Sequence, residues 1–407
     1  MNDTFLVLNT KGVLSRLPEW FPDARRELVV VGTPATLAGS GLDDPAAHFR
    51  HVHTMAGLHG ARAGAEIVEL CRRFAVTRIL STGEREVLPA ARLRGRLGLP
   101  GQGLACAGAY RDKFVMKTIA AAAGIPVAPM RQVADSAALR EFACEAGFPV
   151  VVKPLDGGGS AGVRVFGAAA ELENALGARD SLPWPEPVLA EAWIEGSVYH
   201  VNGLMGAGAV VTAHPSLTPH SNWRSLRFAV PAMSAMLPED DPMAPRLLEL
   251  TERVIAALPP VPGACAFHAE FFHTPEDRLV LCEIACRAGG GEIVPTHEAV
   301  FGVNLHGASL LGQAGRNPPR YGVPRGPRQG FVNFPPARGV LRRIPRRCPL
   351  PNVLTYAASG EVGRAYENAS SLGTFVAGLT HTLHTPDVRS ELHEIEQWWE
   401  RNTVWEN

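Results

Sequence analysis

GFPVVVKPLDGGGSAGVRVFG, residues Gly147 to Gly167, is the stretch from which the fold can be read. It opens with a short apolar run, Val150-Val151-Val152, closed by Lys153-Pro154, and a bounded run of this kind fits a buried strand. A glycine-rich loop follows, Gly157-Gly158-Gly159-Ser160-Ala161-Gly162, and a second strand-like run starts at Val163. Residues without a β-carbon let the backbone approach a ligand and reach positive φ, so successive N–H groups can turn around an anion such as phosphate. Lys153, at the strand end just before the loop, can set an ammonium on the same phosphate chain. The order of parts excludes a P-loop, in which G-x-x-x-x-G-K-[ST] opens a helix, and it excludes a dinucleotide fingerprint. Taken alone, the loop equally fits a flexible hairpin tip with a solvated lysine.

The surroundings narrow the choice. At 407 residues the chain can form two or three domains with real cores, and 46% apolar with 19% charged residues is the balance of a globular protein. Lys+Arg of 39 against Asp+Glu of 40 gives no electrostatic footprint for a nucleic acid. The beginning, FLVLNTKG, lacks the basic and long apolar regions of a secretory signal, and no window approaches the roughly 20 apolar residues of a membrane span. A cytoplasmic protein is expected, with its seven scattered cysteines reduced. Cys282 and Cys286, the one close pair, read as packing because no second Cys/His pair at zinc spacing accompanies them.

Along the chain, Phe5–Leu8, Leu28–Val31 and Arg78–Leu80 read as strands, and Ala61–Phe74 and Glu86–Leu97 carry helical spacing, which predicts a small parallel α/β unit. His48, His51, His53 and His59 read as a polar loop rather than a metal cluster. The turn-rich Gly98–Gly103 marks a boundary, after which Asp112 caps a helix through Lys113 and Lys117 to Gly124. A second helix, capped near Asp135 or Ser136, closes at Gly147. In VLAEAWIEGSVYHVNGLM, Val188–Met205, a strand ends in a bend at Glu195-Gly196 and another follows. In FHAEFFHTPEDRLVLCEIACRAGGGE, Phe267–Glu292, two strands flank a polar turn. Strand side chains alternate faces, so pairing of Glu270 opposite Leu281 or Glu283 would turn Glu270 and Glu283 to one side. Two such acids among apolar neighbours need a cation, and magnesium is the natural one. Arg287, ahead of Gly289-Gly290-Gly291, presents a fork of donors suited to a carboxylate or a phosphorylated group, or else to a salt bridge with one of those glutamates. Arg338, Arg342, Arg343, Arg346 and Arg347 read as a solvated basic face.

In order and spacing these pieces resemble the ATP-grasp superfamily, in particular the carboxylate–amine ligases of its amino-acid (dipeptide) ligase branch. RDKFVMK, VVKPLDGGGSAGV, EAWIEG, HAEFF and CEIACRAGGG carry the resemblance over nearly the whole chain. It implies an α/β and α+β architecture: an N-terminal parallel α/β unit over 1–105, a central lid-bearing subdomain over 106–187, and a C-terminal subdomain over 188–407 that includes a small β-rich unit at about 325–407. It implies ATP phosphates on Lys113 and Lys153 under a loop that includes Gly158, Gly159, Ser160 and Gly162. Adenine would meet Glu191 and the backbone of Ala192 and Ile194, with Glu195 near the ribose. Glu270 and Glu283 would hold magnesium, with manganese as an alternative. His268, Arg287, Gly289, Gly290 and Gly291 would face the substrates, with Arg287, Lys153, Ser160 and Gly290 acting at the reacting groups.

The chain departs from the family pattern twice. Ala285 stands two residues after the second metal glutamate, where many relatives have an asparagine, and Ser197-Val198 follow the bend glycine in place of an acid. The implied activity is ATP-dependent amide formation between small-molecule carboxylate and amine substrates through an acyl phosphate. A homodimer is expected as the commonest closed assembly, and charge and hydropathy point to no nucleic-acid or membrane partner. A phosphotransferase or a non-ligating nucleotide-binding module would use the same cradle. A nicotinamide dehydrogenase is disfavoured by the missing fingerprint.

Overall fold

Phe5–Asn9 forms β1, the centre of a parallel sheet in the computed structural model, which describes residues 3–406 except 10–11, 178–181, 183, 185–186 and 322–323. With β2 (Leu28–Gly32), β3 (His51–Thr54) and β4 (Arg78–Ser81) it makes the order β3-β2-β1-β4. Alternate residues feed two cores, as expected for a parallel sheet covered on both faces. Leu6, Leu8, Val29 and Val31 pack with Ile67 and Val68 of the helix Gly60–Arg73. Phe5, Val7, Leu28 and Val30 pack with Leu14, Phe21 and the distant Leu310.

β3 corrects one expectation. His51 and His53 lie in an edge strand, not in a polar loop. His51 stacks on Phe74 at 4.7 Å and His53 Nε2 lies 2.7 Å from Glu66 Oε1. The free edge of β2 recruits HVHT, whose single valine gives too little pattern to reveal a strand.

The opening stretch forms a strand–loop–strand. β6 (Val150–Pro154) and β7 (Arg164–Phe166) flank the glycine loop and join β5 (Met130–Val133) and β8 (Val188–Ala192) in an antiparallel sheet ordered β5-β8-β6-β7. Val150, Val152, Val188 and Ala190 face a core with Leu139, Phe142 and Phe166. Period-two alternation therefore turns Lys153 and Glu191 to the other face. The division expected at 187/188 cuts through this sheet, since β8 hydrogen-bonds to both β5 and β6.

The remaining large sheet has eight antiparallel strands: β9 (Ser197–Gly206), β10 (Ala209–Thr218), β11 (Ala232–Met236), β12 (Ala264–His273), β13 (Leu279–Ala285), β14 (Gln329–Phe334), β16 (Val353–Ala358) and β18 (Ala377–Thr382). Their order is β13-β12-β9-β10-β11-β14-β18-β16. One face, with Tyr199, Val201, Phe267 and Phe271, packs with Leu247 and Val254 of the helix Met243–Ala257 in a core that extends to Ile395 and Trp399. Within the β-rich stretch expected at about 325–407 as part of the C-terminal subdomain, β14, β16 and β18 extend the main sheet because β14 pairs with β11. Only β15 (Gly339–Arg343), β17 (Ala365–Tyr366) and β19 (Val404–Glu406) form a small sheet of their own. Among the described residues no helix is long and apolar enough to cross a membrane.

The helix Leu305–Gln313 lies directly on the backbone of β12. A β-carbon on Gly312 would stand 2.0 Å from the Ala264 carbonyl oxygen. Gly312→Ala should therefore destabilise the protein by about 1–3 kcal/mol. Gly64→Ala, on a helix with nothing within 4 Å of the added carbon, should be neutral or stabilising. Thermal unfolding of the two variants checks this, and equal melting temperatures would contradict the packing.

Candidate active site

β12 and β13 place Glu270 and Glu283 directly opposite each other, followed at once by a bulge that leaves Cys282 unpaired. Directly opposed residues of an antiparallel pair project to one face, so both carboxylates point the same way. His200 of β9 is the next residue across from Glu270, and Asn202 lies across from His268. A polar row thus runs over this face of the sheet, while the opposite face carries the aromatic core.

Lys113 begins the helix Lys113–Ala122, behind the Asp112 cap. Its Nζ donates to the Gly157 carbonyl at 2.6 Å and lies 3.2 Å from Glu283 Oε2. One ammonium thereby joins the glycine loop to the acid pair. In that loop Gly159, Ser160 and Gly162 all have positive φ. At Gly162 a β-carbon would also come within 3.0 Å of the Pro154 ring, so glycine is required twice over.

Lys153 is buried at the end of β6 and forms an ion pair with Glu191, which also receives Lys117. Burial opposes ionisation of Glu191, but the two ammonium charges and their hydrogen bonds outweigh it and hold the carboxyl below its ordinary value. Burial depresses Lys117. Lys153 is raised despite burial, because it faces Glu191, Cys282 and Glu283 together. The Glu191 side chain, expected at adenine, thus sits between two lysines. The Ala192 N–H donates to the Pro129 carbonyl at 2.9 Å. Ile194 is half-buried, and the exposed Glu195 accepts the Trp193 indole N–H at 2.9 Å. The bend behind it needs Gly196, where a β-carbon would lie 2.1 Å from the His273 carbonyl.

Arg287 does not pair with Glu270 or Glu283. Its Nε donates to Glu84, a residue of the N-terminal unit that also receives Arg111. Burial works against the Glu84 charge, and the two guanidinium groups overcome it to keep the carboxyl below its usual range. For Glu283, burial is likewise outweighed, here by Lys113, Lys153 and Arg287, which hold the carboxyl at about 2. Beyond Arg287, Gly291 has φ +62, and a β-carbon on Gly290 would meet nothing within 4 Å. His268 Nε2 lies 3.0 Å from Glu270 Oε1, and Asn222 Nδ2 donates to the same oxygen at 3.3 Å.

Sequence reasoning gave no role to Glu84, Arg111, Lys117, Asn202 or Asn222. For Lys117 a signal was present, because it lies one helical turn after Lys113 on the side that carries buried Met116 and Ala120. Arg111 sits in the same RDK run. Glu84 begins a short 3-10 turn and Asn222 begins the helix Asn222–Phe228, both far along the chain from Lys113 and Lys153, and no spacing announces them.

Arg111, Lys113, Lys117, Lys153 and Arg287 interleave with Glu84, Glu191, Glu270 and Glu283. These five cations against four carboxylates form a cradle close to neutral, able to take a polyanion together with a divalent cation. Among the described residues no group of three or more His, Cys, Asp and Glu side chains is gathered for a metal. The protein therefore offers a pair of carboxylates instead of a closed cage. That donor set fits magnesium, which keeps several waters and takes phosphate oxygens.

A strand–glycine loop–strand on one sheet and an acid pair on a second belong to an architecture that is ATP-grasp in fold. Residues 119–218 match the family described as D-ala D-ala ligase C-terminus. The chain is 27% identical over 281 residues to the L-arginine-specific L-amino acid ligase of Bacillus subtilis, covering 65% of this chain and 64% of that ligase. The match thus spans a little under two thirds of the relative's length. In fold it is similar to the L-amino acid ligase of Bacillus licheniformis, with TM-score 0.71, 16% identity and coverage of 100% and 99% of the two chains. It is also similar to an N5-carboxyaminoimidazole synthase of Aspergillus clavatus solved with ADP, with TM-score 0.70, 16% identity and coverage of 98% and 99%.

The buried charges lead to a pH-dependent expectation. Glu191 has its folded-state pKa below the ordinary 4.5, so its contribution is complete above that value and is lost as pH falls through the folded one. Glu191→Gln leaves two buried ammonium groups without their carboxylate and should cost about 3–5 kcal/mol at neutral pH. The variant should also lose less further stability than the parent between about pH 5 and 3. Urea unfolding at several pH values measures both, and parallel pH curves for the two proteins would refute the assignment.

Proposed function

We propose that the protein is an ATP-dependent carboxylate–amine ligase that joins amino acids or amino-acid-like substrates through an acyl phosphate and releases ADP and phosphate. One observation carries this reading: Glu270 and Glu283 face each other on one side of the sheet while Lys113 bridges Glu283 to the glycine loop. The amino acid ligase relatives support the choice of substrates, and the ADP complex of a fold neighbour supports the nucleotide.

Lys113 and Lys153, with the amides of Gly158, Gly159, Ser160 and Gly162, hold the triphosphate and orient its terminal phosphoryl group. Lys117 keeps Glu191 ionised beside Lys153. Glu270 and Glu283 would hold magnesium, which supplies charge neutralisation on the phosphates. Arg287 uses one donor on Glu84 and one on the Ala288 carbonyl, so its guanidinium retains donors for the substrate carboxylate. A carboxylate oxygen attacks the terminal phosphorus as the bond to ADP breaks. The amine nitrogen then attacks the acyl carbon, and phosphate leaves with its oxygen as the nitrogen gives up a proton. The N–H groups of Gly289–Gly291 face the oxyanion formed in that second step. The free cysteines support a cytoplasmic setting. A homodimer, the commonest closed assembly, is the proposed state, and light scattering tests it.

Incubation with MgATP and pooled L-amino acids should release ADP only when both a carboxylate and an amine are present, with condensed products identified by mass. ADP release with one component alone, or transfer of phosphate to an amine-free acceptor, would instead indicate a phosphotransferase. Glu283→Ala should lower ATP turnover by more than about a hundredfold while circular dichroism still shows the parent fold. Parent-level ADP release from that variant would exclude Glu283 from the metal site.

A further inference from the structure

Behind His268 lies a line of polar groups whose direction is set by chemistry. His268 Nδ1 is 2.8 Å from Asn202 Oδ1, Asn202 Nδ2 is 2.6 Å from His200 Nδ1, and His200 Nε2 is 2.7 Å from Ser234 Oγ. An amide oxygen only accepts and an amide nitrogen only donates. His268 must therefore carry a proton on Nδ1. His200 must accept at Nδ1 and carry its proton on Nε2, which it donates to Ser234. All four residues are buried: His268 in β12, Asn202 and His200 in the adjacent β9, and Ser234 in β11 beyond β10. The ladder neighbours of His268 are Ala285 and Asn202, of which only Asn202 carries a polar group. Gly289 sits over this bond, since a β-carbon there would come 2.8 Å from Asn202 Oδ1 and 3.0 Å from His268 Nδ1. The loop proposed to face the substrates thus rests on the Asn202–His268 contact.

We propose that Asn202 is a positioning residue of this site: its amide, anchored through His200 to Ser234, fixes the His268 ring with Nδ1–H turned into the sheet and Nε2 turned toward Glu270 and the ligand side. A half-turn of the ring would exchange nitrogens for carbons at both ends and break the bond to Asn202. The relay thereby holds one nitrogen of His268 in one orientation toward whatever lies between Arg287 and Glu270. The functional consequence rests on the ligase reading; the hydrogen-bond order does not.

The test uses the full-length protein labelled with 15N-histidine. Long-range 1H–15N spectra give the ring pattern of each histidine, with His200→Gln and His268→Gln providing assignments. The parent should show His200 protonated on Nε2 alone and His268 protonated on Nδ1. Asn202→Leu should abolish both defined patterns. Asn202→Asp still accepts from His268 and also accepts from His200, so it should keep the His268 pattern while His200 moves its proton to Nδ1. With substrates from the pooled assay, Asn202→Leu should lower kcat by roughly ten- to a hundredfold with the KM for ATP unchanged, and Asn202→Asp should recover most of the loss. A parent His200 protonated on Nδ1, or a His268 pattern unaltered by Asn202→Leu, would overturn the relay. Lost patterns with unchanged kcat would overturn its positioning role. The expected spectra without turnover on any substrate would leave the relay standing and count against the ligase reading.

Discussion

Two carboxylates that face each other across one rung of an antiparallel ladder are held there at an electrostatic cost, and the arrangement of the site follows from how that cost is met. Glu283 is half-buried and stays ionised because Lys113, Lys153 and Arg287 surround it. Each of those cations comes from a different element: the start of a helix, the end of a strand in the middle sheet, and the segment after β13. Charge balance at one rung therefore requires three parts of the chain to converge. Their own partners, Glu191 for Lys153 and Glu84 for Arg287, extend the alternation outward.

The same principle joins the N-terminal unit to the site. Glu84 follows β4, and its two oxygens are taken by Arg111 and Arg287, the latter 203 residues away. Leu310, two residues before the Gly312 that lies on β12 and so on the other side of that helix, reaches the core beneath β1 and β2. A polar bridge at the site and an apolar bridge below it thus fasten the parallel sheet to the large one. Breaking the polar bridge would leave buried charge behind, which penalises separation more than the net worth of the pair.

What could be read from the sequence divides by range. Strand alternation in VVVKP and HAEFF is local, so the facing of Lys153 and of the acid pair was legible before any coordinates. The helix caps at Asp112 and Asp135 were legible for the same reason. The edge strand His51–Thr54 was not, because pairing with β2 supplied what four mostly polar residues lacked. The membership of β14 and β18 in the main sheet depends on pairing with β11, nearly a hundred residues earlier, and no local pattern encodes it. Glu84 was invisible for a related reason: an isolated acid in STGERE looks like any solvated loop residue until Arg111 and Arg287 close on it. The Glu191 carboxylate was legible on its strand but its two lysine neighbours were not, since Lys117 arrives from a helix 74 residues earlier.

The clasp made by Lys113 shows how such a site can be both closed and receptive. Its ammonium bonds simultaneously to a carbonyl of the glycine loop and to Glu283, so loop and acid pair are tied through one flexible side chain. A triphosphate entering between them competes for the same ammonium and offers a stronger, multiply charged partner. The carboxylate so released would keep Lys153 and Arg287 beside it, and a divalent cation arriving with the phosphates would offset its repulsion from them. On the proposed function, nucleotide and cation would therefore bind with positive coupling by the logic of charge, and the loop would be released from Lys113 at Gly157 as the phosphates enter.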